Sequence, residues 1–328
     1  MFILIGKYLK LLVYLVSLIL GITLVTFIVI HLTPGKPTTV GEFNLRITAE
    51  EQARLTALYG LDKPILSQYW QWLKCVFTLN FGNSFKDNKP AIKKIIERLP
   101  ATLMLNICSL VLIFFGSIIL GTIAARYRDS FLDFLIRIFV FIGYSLPTFW
   151  LALVLMIFFG LKLGIFPISG LTSLNFSEMS GPEKIIDIIR HLILPVLVMS
   201  FTGLASITLY IRNNLIEVME NLYVQFGRAR GLSEKYLFLH YGLRNTLLPL
   251  VTILGLSLPA LVGGGFIFET IFSYPGIGRL GYEAIVNRDY PVIMATTIIV
   301  AVLTLLGNFL ADLSYRLVDP RLRSSQPK

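Results

Sequence analysis

Charged side chains are scarce in this chain: 15% of its 328 residues are Asp, Glu, Lys or Arg, where soluble domains carry about 25%. Cysteine is nearly absent too. Cys75 lies in a connecting segment and Cys108 inside an apolar run, which excludes a disulfide framework and leaves both as apolar filler. The three histidines, His31, His191 and His240, are far apart in sequence. They form no HExxH pattern, and no paired carboxylates occur within an apolar run, so a catalytic or metal-ligating cluster is not in view. A Gly-x4-Gly-Lys-Ser/Thr motif is also missing, which excludes ATP binding in the P-loop manner.

What the chain has instead is apolar length. Hydrophobic residues make up 55% of it, and six runs contain no Asp, Glu, Lys or Arg. They are Leu11–Ile30, Ala101–Ala125, Ile138–Leu161, Leu192–Ile211, Thr246–Phe268 and Val292–Ala311. A helix needs about 20 apolar residues to cross a hydrocarbon core, and a backbone in lipid must satisfy its own hydrogen bonds. The expectation is an all-α integral membrane protein with six transmembrane helices. Lys7 and Lys10 precede the first run, as they would in a signal peptide. That run is longer than an h-region of 7–15 residues and ends in Ile30-His31-Leu32-Thr33-Pro34 without a small-residue cleavage pattern, so it reads as a retained anchor.

Orientation follows from basic residues. With both termini inside, segments 1–10, 126–137, 212–245 and 312–328 hold 14 Lys and Arg, while the short outside loops 162–191 and 269–291 hold 5. The 10 in the long loop between the first two runs weigh little, because long segments translocate largely regardless of charge. This asymmetry favours N-in, C-in. The net charge of +10 is then explained by anionic lipid and needs no nucleic acid.

The expected layout is an N-terminus and first span at 1–32, an external cap loop at 33–100, a core of five spans at 101–316 that includes the inside loop 212–245, and a cytoplasmic tail at 317–328. In the cap, Thr48-Ala49-Glu50-Glu51 reads as a capping box, Gly60 as a stop and Pro64 as the start of a segment bearing Tyr69, Trp70 and Trp72. Those aromatics suit either interfacial anchoring or a platform for an external partner. The inside loop 212–245 reads as helix–turn–helix, with Gly231 ending one helix and Ser233 capping the next. At 34 residues it far exceeds an ordinary connector, which implies a task.

Three further features call for a reading. Gly276-Ile277-Gly278-Arg279-Leu280-Gly281 matches GxGxxG, but it follows Tyr274-Pro275 in an outside loop, where glycines would serve a tight turn instead of a nucleotide. Glu269 and Asp312 end apolar runs, where a carboxylate would reach water and anchor the helix. Pro147, Pro195, Pro249 and Pro259 lie within runs and should kink them. The fifth run, with Pro249, Pro259 and Gly263-Gly264-Gly265, reads as a flexible helix beside a solute path.

The inside loop also carries a resemblance. Tyr223-Val224-Gln225-Phe226-Gly227-Arg228-Ala229-Arg230-Gly231-Leu232-Ser233, then His240 and Arg244-Asn245-Thr246-Leu247-Leu248-Pro249, resembles the cytoplasmic loop of bacterial ABC importer permeases. LYGLDKPILSQYWQWL, FGNSF, RLPATL, SLPTFW, FETIFSYPGIGRLGYEAIVNRDYP and DLSYRLVDPRLR are similar to segments of the dipeptide, oligopeptide and nickel branch, so the likeness spans almost the whole chain. One departure is Gln225-Phe226-Gly227, where many permeases have Glu-Ala-Ala. The resemblance implies a multi-pass permease of a bacterial plasma (inner) membrane that imports di- or oligopeptides, with nickel or a nickel chelate as the alternative cargo. It implies a second homologous permease, two ABC ATPases holding ATP and Mg, and an extracytoplasmic solute-binding protein as partners. No cofactor or metal would be bound by this chain, and it would not itself be an enzyme. Tyr223, Gly227, Arg228, Ala229, Arg230, Gly231, Leu232, Ser233, Arg244 and Asn245 would form the coupling segment that docks on an ATPase. An ion-driven carrier would need charges inside the spans and an internal repeat, and a membrane enzyme would need a catalytic cluster. Neither signature is present.

Overall fold

A computed structural model describes residues 2–32 and 63–318. The Pro34-Gly35 opening, the Thr48–Glu51 capping box, the Gly60 stop and the tail from 319 fall outside the described residues. Among those described, the chain is helical, and the one β feature is an isolated bridge between Asn83 and Pro90.

Helix α1 spans Phe2–Leu32 and contains the first charge-free run. Pro64 begins α2 (Ile65–Thr78), as its fixed φ suits the position before a helix. Helix α3 (Ala91–Arg126) starts ten residues before the second apolar run and carries Pro100 inside. The third run is not one straight helix. It is split into α4 (Phe131–Ser145) and α5 (Thr148–Leu155), the latter continuing as a π-helix over Met156–Lys162. The two halves meet at 108°. The cause is local: Pro147 forces Leu146 into an extended conformation (φ −89°, ψ 131°), which a helix cannot continue through.

Helix α6 (Gly181–Glu220) is 40 residues, about 60 Å, and absorbs Pro195 without a break. Ser180 opens it in a capping box, its N–H donating to Glu183 at 2.8 Å. The helix runs well past the fourth apolar run, so residues 212–220 extend the span instead of starting a separate loop helix. Next come α7 (Leu222–Ala229), the single turn α8 (Glu234–Tyr236), a π-helix over Leu237–Leu243 and α9 (Arg244–Ser257). Short α10 (Ala260–Gly263) and α11 (Phe266–Ile271) follow, then α12 (Ile277–Val286) and α13 (Tyr290–Val318).

Among the described residues four stretches are long and apolar enough to cross a membrane: Ala91–Arg126, Gly181–Glu220, Glu234–Ser257 and Tyr290–Ala311; the bent α4–α5 pair makes up to five. Packing divides the described residues into two units, those within 1–100 with 276–306 and those within 101–275 with 307–318. In the first, Phe27, Trp72, Phe81, Ile95, Ile277 and Val292 belong to one apolar core. Trp72 is buried, Tyr69 donates or accepts at 3.2 Å with Thr23, and Trp70 is exposed. The aromatic set is thus divided, and Trp72 is core, neither an interfacial anchor nor an exposed platform. In the same unit Ser84 donates to Asp289, Phe85 N–H donates to that carboxylate at 3.1 Å, and Lys94 donates to Ser84 at 2.9 Å. The second unit has two apolar clusters, one around Leu105, Leu194, Val198 and Tyr274, the other around Phe114, Ile211 and Leu250.

Candidate functional site

The inside loop is held by its own hydrogen bonds. Gly231 adopts φ +79°, a left-handed conformation that ends α7, and its N–H donates to the Arg228 carbonyl at 2.9 Å. Two residues on, the Ser233 hydroxyl accepts from Tyr236 N–H at 3.3 Å and caps the next turn. Arg228 reaches forward from α7 to clasp Glu234, Nε donating at 2.6 Å and Nη2 at 3.3 Å. This contact drives the Arg228 guanidinium further above its ordinary range, so it stays charged at any cellular pH.

Burial sorts the motif residues by role. Gly227 is buried, and a Cβ there would stand 2.6 Å from a Leu237 methyl, so this glycine lets α7 lie against the π-helix. No atom lies within 4 Å of a Cβ built at Gly231, so its requirement is conformational. Tyr223 is bound to Asn245 through Asn245 Nδ2 at 3.3 Å, which brings the two halves of the motif together. Outward stand Leu222, Tyr223, Phe226 and Leu232, with Ala229, Arg230, Lys235 and Arg244 also exposed. Phe226, at the position where many permeases have alanine, is 68% exposed and so belongs to this outward face. Of the basic side chains, Arg228 is occupied by Glu234, while Arg230 and Lys235 are exposed.

The fifth run is interrupted, not merely flexible. Pro249 lies inside α9, whereas Pro259 opens α10 and Gly264, at φ +65°, ends it. Gly263 is exposed, with no atom within 4 Å of an added Cβ. Three hydrogen bonds tie this segment to the start of the second apolar run. Asn106 Nδ2 donates to the Leu261 carbonyl at 2.6 Å, Thr102 to Glu269 at 3.2 Å, and the Tyr274 hydroxyl to the Ala101 carbonyl at 2.9 Å. Asn106 thereby satisfies a carbonyl within the interrupted stretch, as buried backbone demands.

Glu269 is 0% exposed, so its carboxylate does not reach water at the run's end. Sequence position suggested an edge; the side chains of the second unit close over it. The GxGxxG segment also differs from expectation. Gly276 precedes α12, and Gly278 and Gly281 lie within that helix, so the motif opens a helix and forms no tight turn.

Sequence reasoning missed two contacts. Arg212 of α6 donates to both oxygens of Asp133 of α4, at 2.6 and 2.7 Å. Gly307 of α13 meets Pro259, where a Cβ would lie 2.8 Å from the Pro259 Cα. The first joins residues 79 apart, a spacing with no local signal. Among the described residues no group of three or more His, Cys, Asp or Glu is placed to hold a metal.

Comparison with known proteins agrees with this architecture. The model of the family described as "Binding-protein-dependent transport system inner membrane component" matches residues 117–324, and that of its N-terminal part matches residues 3–106. The oligopeptide transport system permease protein AppB of Bacillus subtilis (strain 168) is 38% identical over 308 residues, 94% of this chain and 96% of that protein. The dipeptide transport system permease protein DppB of Escherichia coli (strain K12) is 34% identical over 320 residues, 93% of this chain and 94% of that protein. DppB of Lactococcus lactis subsp. cremoris (strain MG1363) is 35% identical over 310 residues, 94% and 96% of the two chains. With matches of this extent on an all-α scaffold of membrane-crossing helices, the chain belongs to the binding-protein-dependent transport system inner membrane component family.

Proposed function

We propose that this chain is the permease subunit of an ATP-driven importer for di- or oligopeptides in a bacterial inner membrane. The observation that carries this reading is the α7–α8 segment, whose internal bonds hold an aromatic and basic face exposed. Tyr223, Phe226 and Arg230 stand outward from it, while Gly231, Ser233 and the Arg228–Glu234 pair fix its shape. Such a preformed protrusion suits docking into a groove on a partner ATPase. Peptides are the cargo class because the relatives described above are named as oligopeptide and dipeptide permeases.

In this account the chain crosses the membrane six times with both termini inside, and the α7–α8 segment is cytoplasmic. A sister permease completes the pathway, two ATPases hold ATP and Mg, and an external binding protein delivers the peptide. ATP-driven closure of the ATPases would move α7, and with it the long α6 and the π-helix against which Gly227 packs. The interrupted fifth run, Pro249, Pro259 and Gly263 to Gly265, would then rearrange beside the peptide path, switching access from one side to the other. Mild detergent extraction from the native host followed by mass spectrometry tests this: two ATPases and a related permease should co-purify. Reproducible recovery of the folded chain alone would refute it.

A further inference from the structure

Asp133, near the start of α4, collects bonds from three directions. Arg212 of α6 donates to its two oxygens at 2.6 and 2.7 Å, Arg137 lies 3.6 Å away one turn on, and the Asp129 N–H donates at 3.1 Å. That last bond helps to hold Asp129 at φ +61° in the turn that joins α3 to α4. The Asp133 side chain is 0% exposed and that of Arg212 13%. A second link, Arg128 to Glu220 at 2.5 Å, joins the same turn to the end of α6, but its side chains are 49% and 65% exposed, so it contributes little. Arg126, at the end of α3, rests 5.3 Å above the Phe238 ring of the π-helix over Leu237–Leu243. The turn therefore touches both elements that carry α7: α6 leads into it, and the π-helix packs on Gly227.

Beyond the pair, α4 continues along α6. Phe139 and Phe201 meet edge to face with ring centroids 5.2 Å apart, and Thr202 donates to the Gly143 carbonyl at 3.5 Å. A Cβ at Gly143 would stand 2.6 Å from the Ala205 Cβ, so the two helices are in close contact there. Three residues later the run breaks at Leu146-Pro147. Apolar contacts hold two helices together yet let one slide along the other, whereas a bidentate guanidinium–carboxylate pair fixes distance and orientation. Stability alone does not call for such a pair, since buried ion pairs are commonly no better than apolar side chains of the same volume.

We infer that Asp133 is a positioning residue for transport: through Arg212 it fixes α4 to α6, so that movement of the segment proposed to meet the ATPase reaches the third apolar run. The inference rests on the import reading above and adds a moving part to it. The α3–α4 turn and α4 travel with α6 as one body, and that body ends at the Leu146-Pro147 bend, where the motion is released into α5. Asp133 itself touches neither cargo nor nucleotide.

The assembled importer in liposomes tests this, with peptide accumulated and ATP hydrolysed measured on the same preparation. Arg212→Lys keeps the charge but loses the fork. It should hydrolyse ATP at the wild-type rate and accumulate about tenfold less peptide per ATP, the scale of one charge-assisted hydrogen bond. Asp133→Leu with Arg212→Met separates this role from folding: its unfolding midpoint should lie close to that of the wild type, yet its peptide yield per ATP should fall as far. Motion is read from spin labels at Tyr144→Cys and Glu217→Cys, both exposed, in a chain with Cys75 and Cys108 replaced by serine. With the pair intact their distance should be the same with and without trapped ATP; in the Leu–Met variant it should differ between the two states. Wild-type peptide yield per ATP in Arg212→Lys and in the Leu–Met variant overturns the inference, and so does a label distance that changes with ATP while the pair is intact. A wild-type assembly that hydrolyses ATP and imports nothing removes the import reading itself, so the two failures are distinguishable.

Discussion

Arg212 and Asp133 form a bidentate pair between α6 and α4, with Nε 2.6 Å from one carboxylate oxygen and Nη2 2.7 Å from the other. Asp133 is 0% exposed, and Arg137 at 3.6 Å adds a second, weaker contact. Removing one member of such a buried pair leaves a charge without compensation and costs about 3–5 kcal/mol. Asp133→Ala should therefore lower the thermal unfolding midpoint of the purified chain clearly. Replacing both residues together, Asp133→Leu with Arg212→Met, should recover most of the loss, because apolar packing does not need the pair. Equal midpoints for the wild type and Asp133→Ala would show that the pair contributes nothing.

Gly231 and Gly227 should respond differently to substitution. At φ +79° a Cβ at Gly231 costs about 1–2 kcal/mol although space is open around it. Gly231→Asn, which tolerates this region, should keep more transport than Gly231→Ala. At Gly227 the obstacle is Leu237, so Gly227→Ala is relieved by movement of that flexible side chain, whereas Gly227→Val is not. Peptide uptake in cells, normalised to membrane abundance, measures both series. The reverse order at Gly231 would remove the conformational explanation.

The legibility of this fold in its sequence was uneven, for physical reasons. Charge-free runs of spanning length marked the apolar helices, because lipid imposes one backbone solution. Pro64, Gly231 and Ser233 marked real boundaries, because caps and left-handed glycines act within a few residues. Pro147 marked the bend after Leu146, as an expected kink, whereas hydropathy did not reveal the interruption at Gly264, since a broken apolar run is as apolar as a continuous one. Glu269 was placed at a watery edge because sequence gives distance along the chain and not what packs across it. Trp72 was misread for the same reason. The Asp133–Arg212 pair joins two positions that no periodicity connects.

Gly307 and Gly263 provide a matched contrast around the interrupted run. A Cβ at Gly307 would meet Pro259 backbone atoms at 2.8 and 3.0 Å, which no rotamer change relieves. Gly307→Ala should cost about 1–3 kcal/mol and reduce the yield of folded protein. Gly263→Ala meets nothing within 4 Å and should fold normally. A cysteine at Gly263 should react with a small external thiol reagent in a conformation-dependent manner. Identical reactivity with and without trapped ATP would contradict its place beside the path.

Ser84, Asp289 and Lys94 pin the loop after α2. Asp289 is 3% exposed and Ser84 2%, and Ser84 accepts from Lys94 while donating to Asp289. Ser84→Ala leaves a buried carboxylate short of one donor, at a cost of about 1–3 kcal/mol. Limited proteolysis on the outer face of right-side-out vesicles should cut the variant faster at 79–90 than the wild type. Unchanged cleavage would mean that the Phe85 N–H contact suffices.

The most direct test of the import reading is uptake by the purified assembly in liposomes, with ATP trapped inside, the binding protein outside and a radiolabelled dipeptide as cargo. The account predicts accumulation that requires ATP hydrolysis and falls to background when the α7 docking face is removed by Phe226→Asp with Arg230→Glu. Accumulation without ATP, or at wild-type rates in that double variant, would contradict it.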